Sequence, residues 1–159
     1  EVTFCRINKT KEHITEEGLK NTSTSIHPIG TIILAMIGEG KTRGQAAILN
    51  IEASHNQNTA AIRVSEVTYS PEFLYNFLLY RYAETRKSGS GNNQKALNKQ
   101  RVADLPTPIC SLPEQQEIVR LLEEQLTAIE QNEKEIDHSL TQSQALRQSI
   151  LKKAFEGKL

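Results

Sequence analysis

The sequence predicts an α+β fold, a mixed sheet-and-helix domain over residues 1–110 followed by a long coiled-coil-type helix over 111–159. Three observations carry this. Short apolar stretches stand at 31–37, 45–51 and 59–64, the first of them β-branched and punctuated by glycine on both sides. Ser70-Pro71-Glu72 is a helix start, with a capping hydroxyl, a proline at the first helical position and an acid at the positive end of the dipole. Between Pro113 and Gly157 neither Pro nor Gly occurs, in a stretch rich in Glu, Gln, Leu and Lys.

Residues 1–27 are polar and weakly patterned, with turn formers at Glu16-Glu17-Gly18 and a Ser/Thr run at Thr22–Ser25; Phe4 and Ile7 suit a strand. Pro28 and Gly30 precede Thr31–Ile37, which reads as a buried strand. The glycine-rich loop Gly38–Gly44 joins it to a second strand over Gln45–Ile51. Asn56-Gln57-Asn58 then turns into a third over Thr59–Val64. From Pro71, the spacing of Phe73, Leu74, Phe77, Leu78, Tyr80 and Arg81 predicts a helix to about Arg86, its aromatics core rather than a stacking platform. Residues 87–94 form a polar loop. Arg101–Asp104 leads into Leu105-Pro106-Thr107-Pro108-Ile109, which proline holds extended. The last helix, Pro113 to about Phe155, would be ~60 Å long, about twice the width of a small domain. Leu122, Leu126, Ile129, Ile136, Leu140 and Ile150 step along it by threes and fours, the seam of a coiled coil, interrupted at Glu133, Ser143 and Arg147.

The 159 residues balance 19 basic against 19 acidic groups, but unevenly. Residues 38–101 carry nine Lys/Arg and five Asp/Glu, and residues 102–159 carry six and ten. A basic body on an acidic helix suits a polyanion-binding domain with a protein-binding arm. No signal-like or membrane-spanning run is present, so a soluble, cytoplasmic protein is expected, complete or a piece of a longer chain. Cys5 and Cys110 make no disulfide framework, and His13, His27, His55 and His138 are too scattered for a metal site.

Gly40-Lys41-Thr42 imitates the end of a phosphate-binding P-loop, but Ala35 stands where the first glycine belongs, and a strand follows where a helix is required. A nucleotide hydrolase is therefore excluded. Glu39-Gly40-Lys41 and Glu156-Gly157-Lys158 match the acid-x-Lys element of restriction nucleases, yet neither follows Pro-Asp, and chance supplies such tripeptides. What the loops offer is hydrogen-bond donors. Lys41, Arg63, Lys87, Lys95, Lys99 and Arg101 suit phosphates, while Thr42, Arg43, Gln45, Asn56, Gln57, Asn92, Asn93 and Gln94 suit base edges, with Ser88 in the same polar loop. Read without context, the same residues are hairpin turns and linker with solvated charges.

Gly89-Ser90-Gly91-Asn92-Asn93-Gln94, Leu97-Asn98, Leu105-Pro106-Thr107-Pro108 and Leu112-Pro113-Glu114-Gln115-Gln116-Glu117-Ile118-Val119 together resemble the specificity subunit of Type I restriction–modification enzymes. Leu146 to Leu159 resembles the end of that subunit's second long helix, and the glycine loop and Asn56-Gln57 fit its target-recognition domain. The resemblance spans nearly the whole chain, at about half the length of a full subunit with its two domains and two antiparallel helices; a fragment and a natural half-subunit both fit. It implies a module that reads one half of a split double-stranded DNA site and performs no chemistry. It also implies methylation subunits that use S-adenosylmethionine, a cleavage subunit that uses ATP, no cofactor on this chain, and a second specificity half or an identical copy paired through the helix. The competing expectation is a coiled-coil adaptor that never touches nucleic acid.

Overall fold

A computed structural model describes residues 2–38, 40–64, 69–87 and 96–158, and among these four strands form one sheet. They are β1 (Cys5–Ile7), β2 (Ile32–Ala35), β3 (Ala46–Leu49) and β4 (Thr59–Ile62), in the spatial order β1-β3-β2-β4. β2 runs antiparallel to both β3 and β4, whereas β1 lies parallel to β3 with Cys5 opposite Ala47. The expected strands are present with their ends trimmed, and the β1 partnership was invisible in the sequence because it joins segments forty residues apart.

Period-two alternation divides the strand side chains between two cores. Ile32, Leu34, Met36, Ala46 and Ile48 pack with Leu74, Leu78 and Leu97, while Ile33, Ala35, Ala47 and Leu49 pack with Val2 and Ile7. Burial on both faces is why β2 reads as an unbroken apolar run rather than an alternating one.

The helix over the first core, α2 (Pro71–Tyr80), starts as expected, with Ser70 Oγ accepting from the Phe73 N–H at 3.3 Å. It does not run on to Arg86. The chain turns at Arg81 and resumes as α3 (Tyr82–Lys87). The Arg81 guanidinium lies over the Phe77 ring, donates to Pro106 O at 2.9 Å and pairs with Glu84 at 3.0 Å, so one side chain fixes the bend and the extended 105–109 segment. Two short helices went unforeseen: α1 (Glu16–Lys20), capped by Thr15, and α4 (Lys99–Ala103), where Asn98 Oδ1 accepts from the Arg101 N–H at 2.8 Å.

The last helix, α5 (Leu112–Phe155), begins one residue before Pro113. Gln115, 1% exposed, fastens its first turn: Oε1 accepts from the Ser70 N–H at 2.7 Å, and Nε2 donates to Cys110 O at 2.9 Å. The described chain divides into two units, Glu1–Val119 and Arg120–Leu159. In the second, Gly157 adopts φ 68° and ends the helix, with Lys158 N–H donating to Lys153 O. Leu122, Leu126, Ile129, Ile136, Leu140 and Ile150 are 39–66% exposed, so the apolar seam is open to solvent in the isolated chain.

Candidate nucleic-acid interface

The sheet register gathers the donor-rich loops at one end. Ala35 stands opposite Thr59, and Leu34 opposite Ala46, so the glycine-rich loop after β2 and the turn before β4 emerge side by side. Met36 N–H donates to Asn58 O, and Leu97 N–H donates to Met36 O, which brings the start of α4 to the same end. Lys41, Thr42, Asn56, Gln57 and Lys99 are all exposed there. Asn56 uses its side-chain oxygen on the Asn58 N–H at 3.1 Å, an Asx turn that sets the shape of the 56–58 segment.

Helix α3 seats the glycine-rich loop. The Tyr82 hydroxyl donates to Lys41 O. Arg43 Nη2 donates to Arg86 O at 3.3 Å, and Arg86 Nη1 donates back to Arg43 O at 3.5 Å. These bonds place exposed Lys87, the last residue of α3, beside the loop. Gly44 has φ +84°, and a Cβ there would lie 3.5–3.6 Å from Tyr82, Thr85 and Arg86. Glycine is needed for its left-handed backbone more than for space.

Other expected contacts are placed differently. Arg43 is 7% exposed, with its guanidinium turned to the α3 main chain, so it joins the loop to the helix instead of presenting donors to a base. Gln45 is half-buried, and its backbone groups bond to Ala35 and Thr42. Arg101 is half-buried on α4. Arg63 lies beyond the other end of β4, where Ile62 faces Ile32, and its guanidinium is held by His27 Nδ1 at 3.1 Å and Ile26 O at 3.2 Å. Ser88, Asn92, Asn93, Gln94 and Lys95, together with Ser90 and the glycines of that loop, lie outside the described residues.

His27 shows what holds Arg63. Its Nδ1 accepts from Arg63, so the ring is neutral with its proton on Nε2. Burial pushes its pKa below the ordinary histidine value, and the neighbouring His55 ring and the Arg63 guanidinium push it the same way. A lowered folded pKa means that the unfolded chain takes up the proton first. Stability is therefore complete above the ordinary value of about 6.5 and declines as pH falls below it. Urea midpoints measured from about pH 7 to about pH 5 should fall in the native chain, and the slope should be shallower in His27→Gln. Identical slopes would remove His27 from the explanation.

Sequence reasoning missed Tyr82 and Arg86, which looked like ordinary helix positions, and His27, which looked isolated. The only available signal was the glycine-rich loop, which had to rest on something. Among the described residues no helix is long and apolar enough to cross a membrane, and no three His, Cys, Asp or Glu side chains converge as metal ligands would.

A family model described as Type I restriction modification DNA specificity domain matches residues 1–142. The specificity subunit of the Type I restriction enzyme EcoDI from Escherichia coli is 40% identical over 63 residues, a stretch that makes up 40% of this chain and 14% of that protein. Among solved structures, a chain from work on complex assembly and conformational transition of the type I R-M system matches with a TM-score of 0.67 at 23% identity, over 84% of this chain and 32% of that one. That structural likeness shows a shared fold. The chain thus corresponds to about a third or less of each of these proteins.

Proposed function

Because the chain belongs to the family of Type I restriction modification DNA specificity domains, we propose that it reads one half of a split site in double-stranded DNA and contributes recognition, not catalysis. The observation that carries this is the sheet end at which exposed Lys41, Thr42, Asn56, Gln57 and Lys99 meet, with Lys87 beside them. Lysines hold phosphates and set the register of a protein on the duplex; hydroxyls and amides, which can both give and accept hydrogen bonds, read base edges. Thr42, Asn56 and Gln57 take the second role. Arg43 and Arg63 act within the protein, as supports for the loop and for the opposite end of β4.

In this reading the seam of α5 pairs with a second specificity helix, from an identical copy or from another half, and sets the distance between two recognition domains. The methylation and cleavage subunits dock on the assembly and bring S-adenosylmethionine and ATP, none of which this chain binds itself. The assembly works in the cytoplasm, where its DNA is.

Titration of a labelled random-sequence duplex at two ionic strengths tests the reading. If about four or five phosphates are neutralised, affinity falls by about 10²–10³-fold between about 50 and 200 mM salt, through counterion release. Absence of binding at the lower salt, with methylation subunits present, would favour an adaptor that never touches nucleic acid.

A further inference from the structure

Tyr82 is a meeting point of three separate features of the sheet end. Its hydroxyl holds the carbonyl of Lys41, its ring edge faces Gly44, and the Phe4 ring meets it in a T-shaped contact with centroids 5.0 Å apart. Phe4 has φ 45°, a left-handed backbone unusual for a bulky side chain, and the ring contact helps to hold it there. One turn along α3, Arg86 exchanges side-chain-to-carbonyl hydrogen bonds with Arg43. The carbonyls of residues 41 and 43 are thus both tied to α3, and Thr42 stands exposed between them.

This matters because the two kinds of DNA contact tolerate looseness differently. A lysine reaches a phosphate from many loop conformations, since the attraction is non-directional and long-ranged. A hydroxyl or amide discriminates bases only when donor and acceptor are aligned. A loop with three glycines would otherwise sample many conformations, and ordering it at the moment of binding would subtract from specific affinity.

We propose that Tyr82 and Arg86 are positioning residues for DNA sequence discrimination, holding the loop main chain so that Thr42 and Lys41 meet the duplex in one arrangement. The inference rests on the DNA-recognition reading above and goes beyond it, because it assigns both residues a role through the loop main chain they hold.

The test uses the full chain and duplexes selected by it from a random-sequence pool, compared with scrambled duplexes. Tyr82→Phe keeps the ring contacts and removes only the hydroxyl; Arg86→Lys keeps the charge and loses the planar donor pair. In each variant, the preference for selected over scrambled duplex should drop by about 5–10-fold, which is the value of one ordinary hydrogen bond. Affinity for scrambled duplex and its dependence on salt should stay unchanged, which a merely destabilised domain would not show. In the free protein, hydrogen exchange of the Gly44 and Gln45 amides, which are bonded to Ala35 O and Thr42 O, should accelerate in both variants. Wild-type preference in both variants, or equal loss on both duplexes, overturns the proposal. If the wild-type chain selects no sequence while those amides are protected, the DNA reading itself fails and this inference falls with it, a failure seen in the parent and not in the variants.

Discussion

Replacing Gln115 by leucine should destabilise the unit Glu1–Val119 by about 2–4 kcal/mol. The side chain is almost wholly buried and serves two main-chain groups at once, the Ser70 N–H and the Cys110 carbonyl. Leucine fits the volume but leaves both groups without partners in a place that water reaches poorly, and each such orphan costs about 1–3 kcal/mol. Ser70 is also the residue whose hydroxyl caps α2, so losing its anchor loosens the cap as well. The neighbouring Gln116 is exposed, and Gln116→Leu should change stability by no more than about 0.5 kcal/mol. Urea unfolding of the two variants side by side separates them, and equal midpoints would show that the Gln115 bonds do not matter.

Gln115 and Gln116 also mark the limit of what the sequence disclosed. The Leu-Pro-Glu-Gln-Gln run was visible as a marker of the family, but nothing in it said which glutamine was structural. That depends on Ser70, forty-five positions away. Features governed by neighbours in the chain were legible. The three strands announced themselves by short apolar stretches, α2 by its Ser-Pro-Glu start, and α5 by its freedom from proline and glycine beyond Pro113. Features governed by long-range partners were not legible. The gathering of the glycine loop and the Asn56-Gln57 turn at one sheet end was not, because it requires β4 to pair with β2 and residues 50–58 to cross back from the far end of β3. An arginine in a glycine loop reads as exposed, yet Arg43 is buried and donates to the Arg86 carbonyl, forty-three positions away. Arg63 reads as a phosphate contact until His27 supplies an acceptor that holds it. The break at Arg81 has the same origin, since Pro106 lies outside any helical window around it.

Leu126→Asp combined with Ile129→Asp should weaken pairing of α5 with a second helix by at least about 100-fold, or about 3 kcal/mol, because each aspartate puts a charge where an apolar side chain would be covered. Both positions lie in the unit Arg120–Leu159 and are about half exposed in the isolated chain, so the folding of Glu1–Val119 should not change. The polar interruptions of the seam say how two identical copies would meet. Glu133 and Arg147 stand seven residues on either side of Leu140. In an antiparallel pair centred on Leu140, each Glu133 faces the partner's Arg147; a parallel pair would set Glu133 against Glu133 and Arg147 against Arg147. Antiparallel pairing therefore turns two defects into complementary charges, which act on register and orientation more than on affinity. Glu133→Arg alone should weaken self-association by about tenfold through like-charge repulsion, and adding Arg147→Glu should restore it. Sedimentation velocity over a range of concentrations reads all three variants. Unchanged association in the double aspartate variant would mean that the seam is not the pairing surface, and a charge swap that fails to rescue would rule out the antiparallel register centred on Leu140.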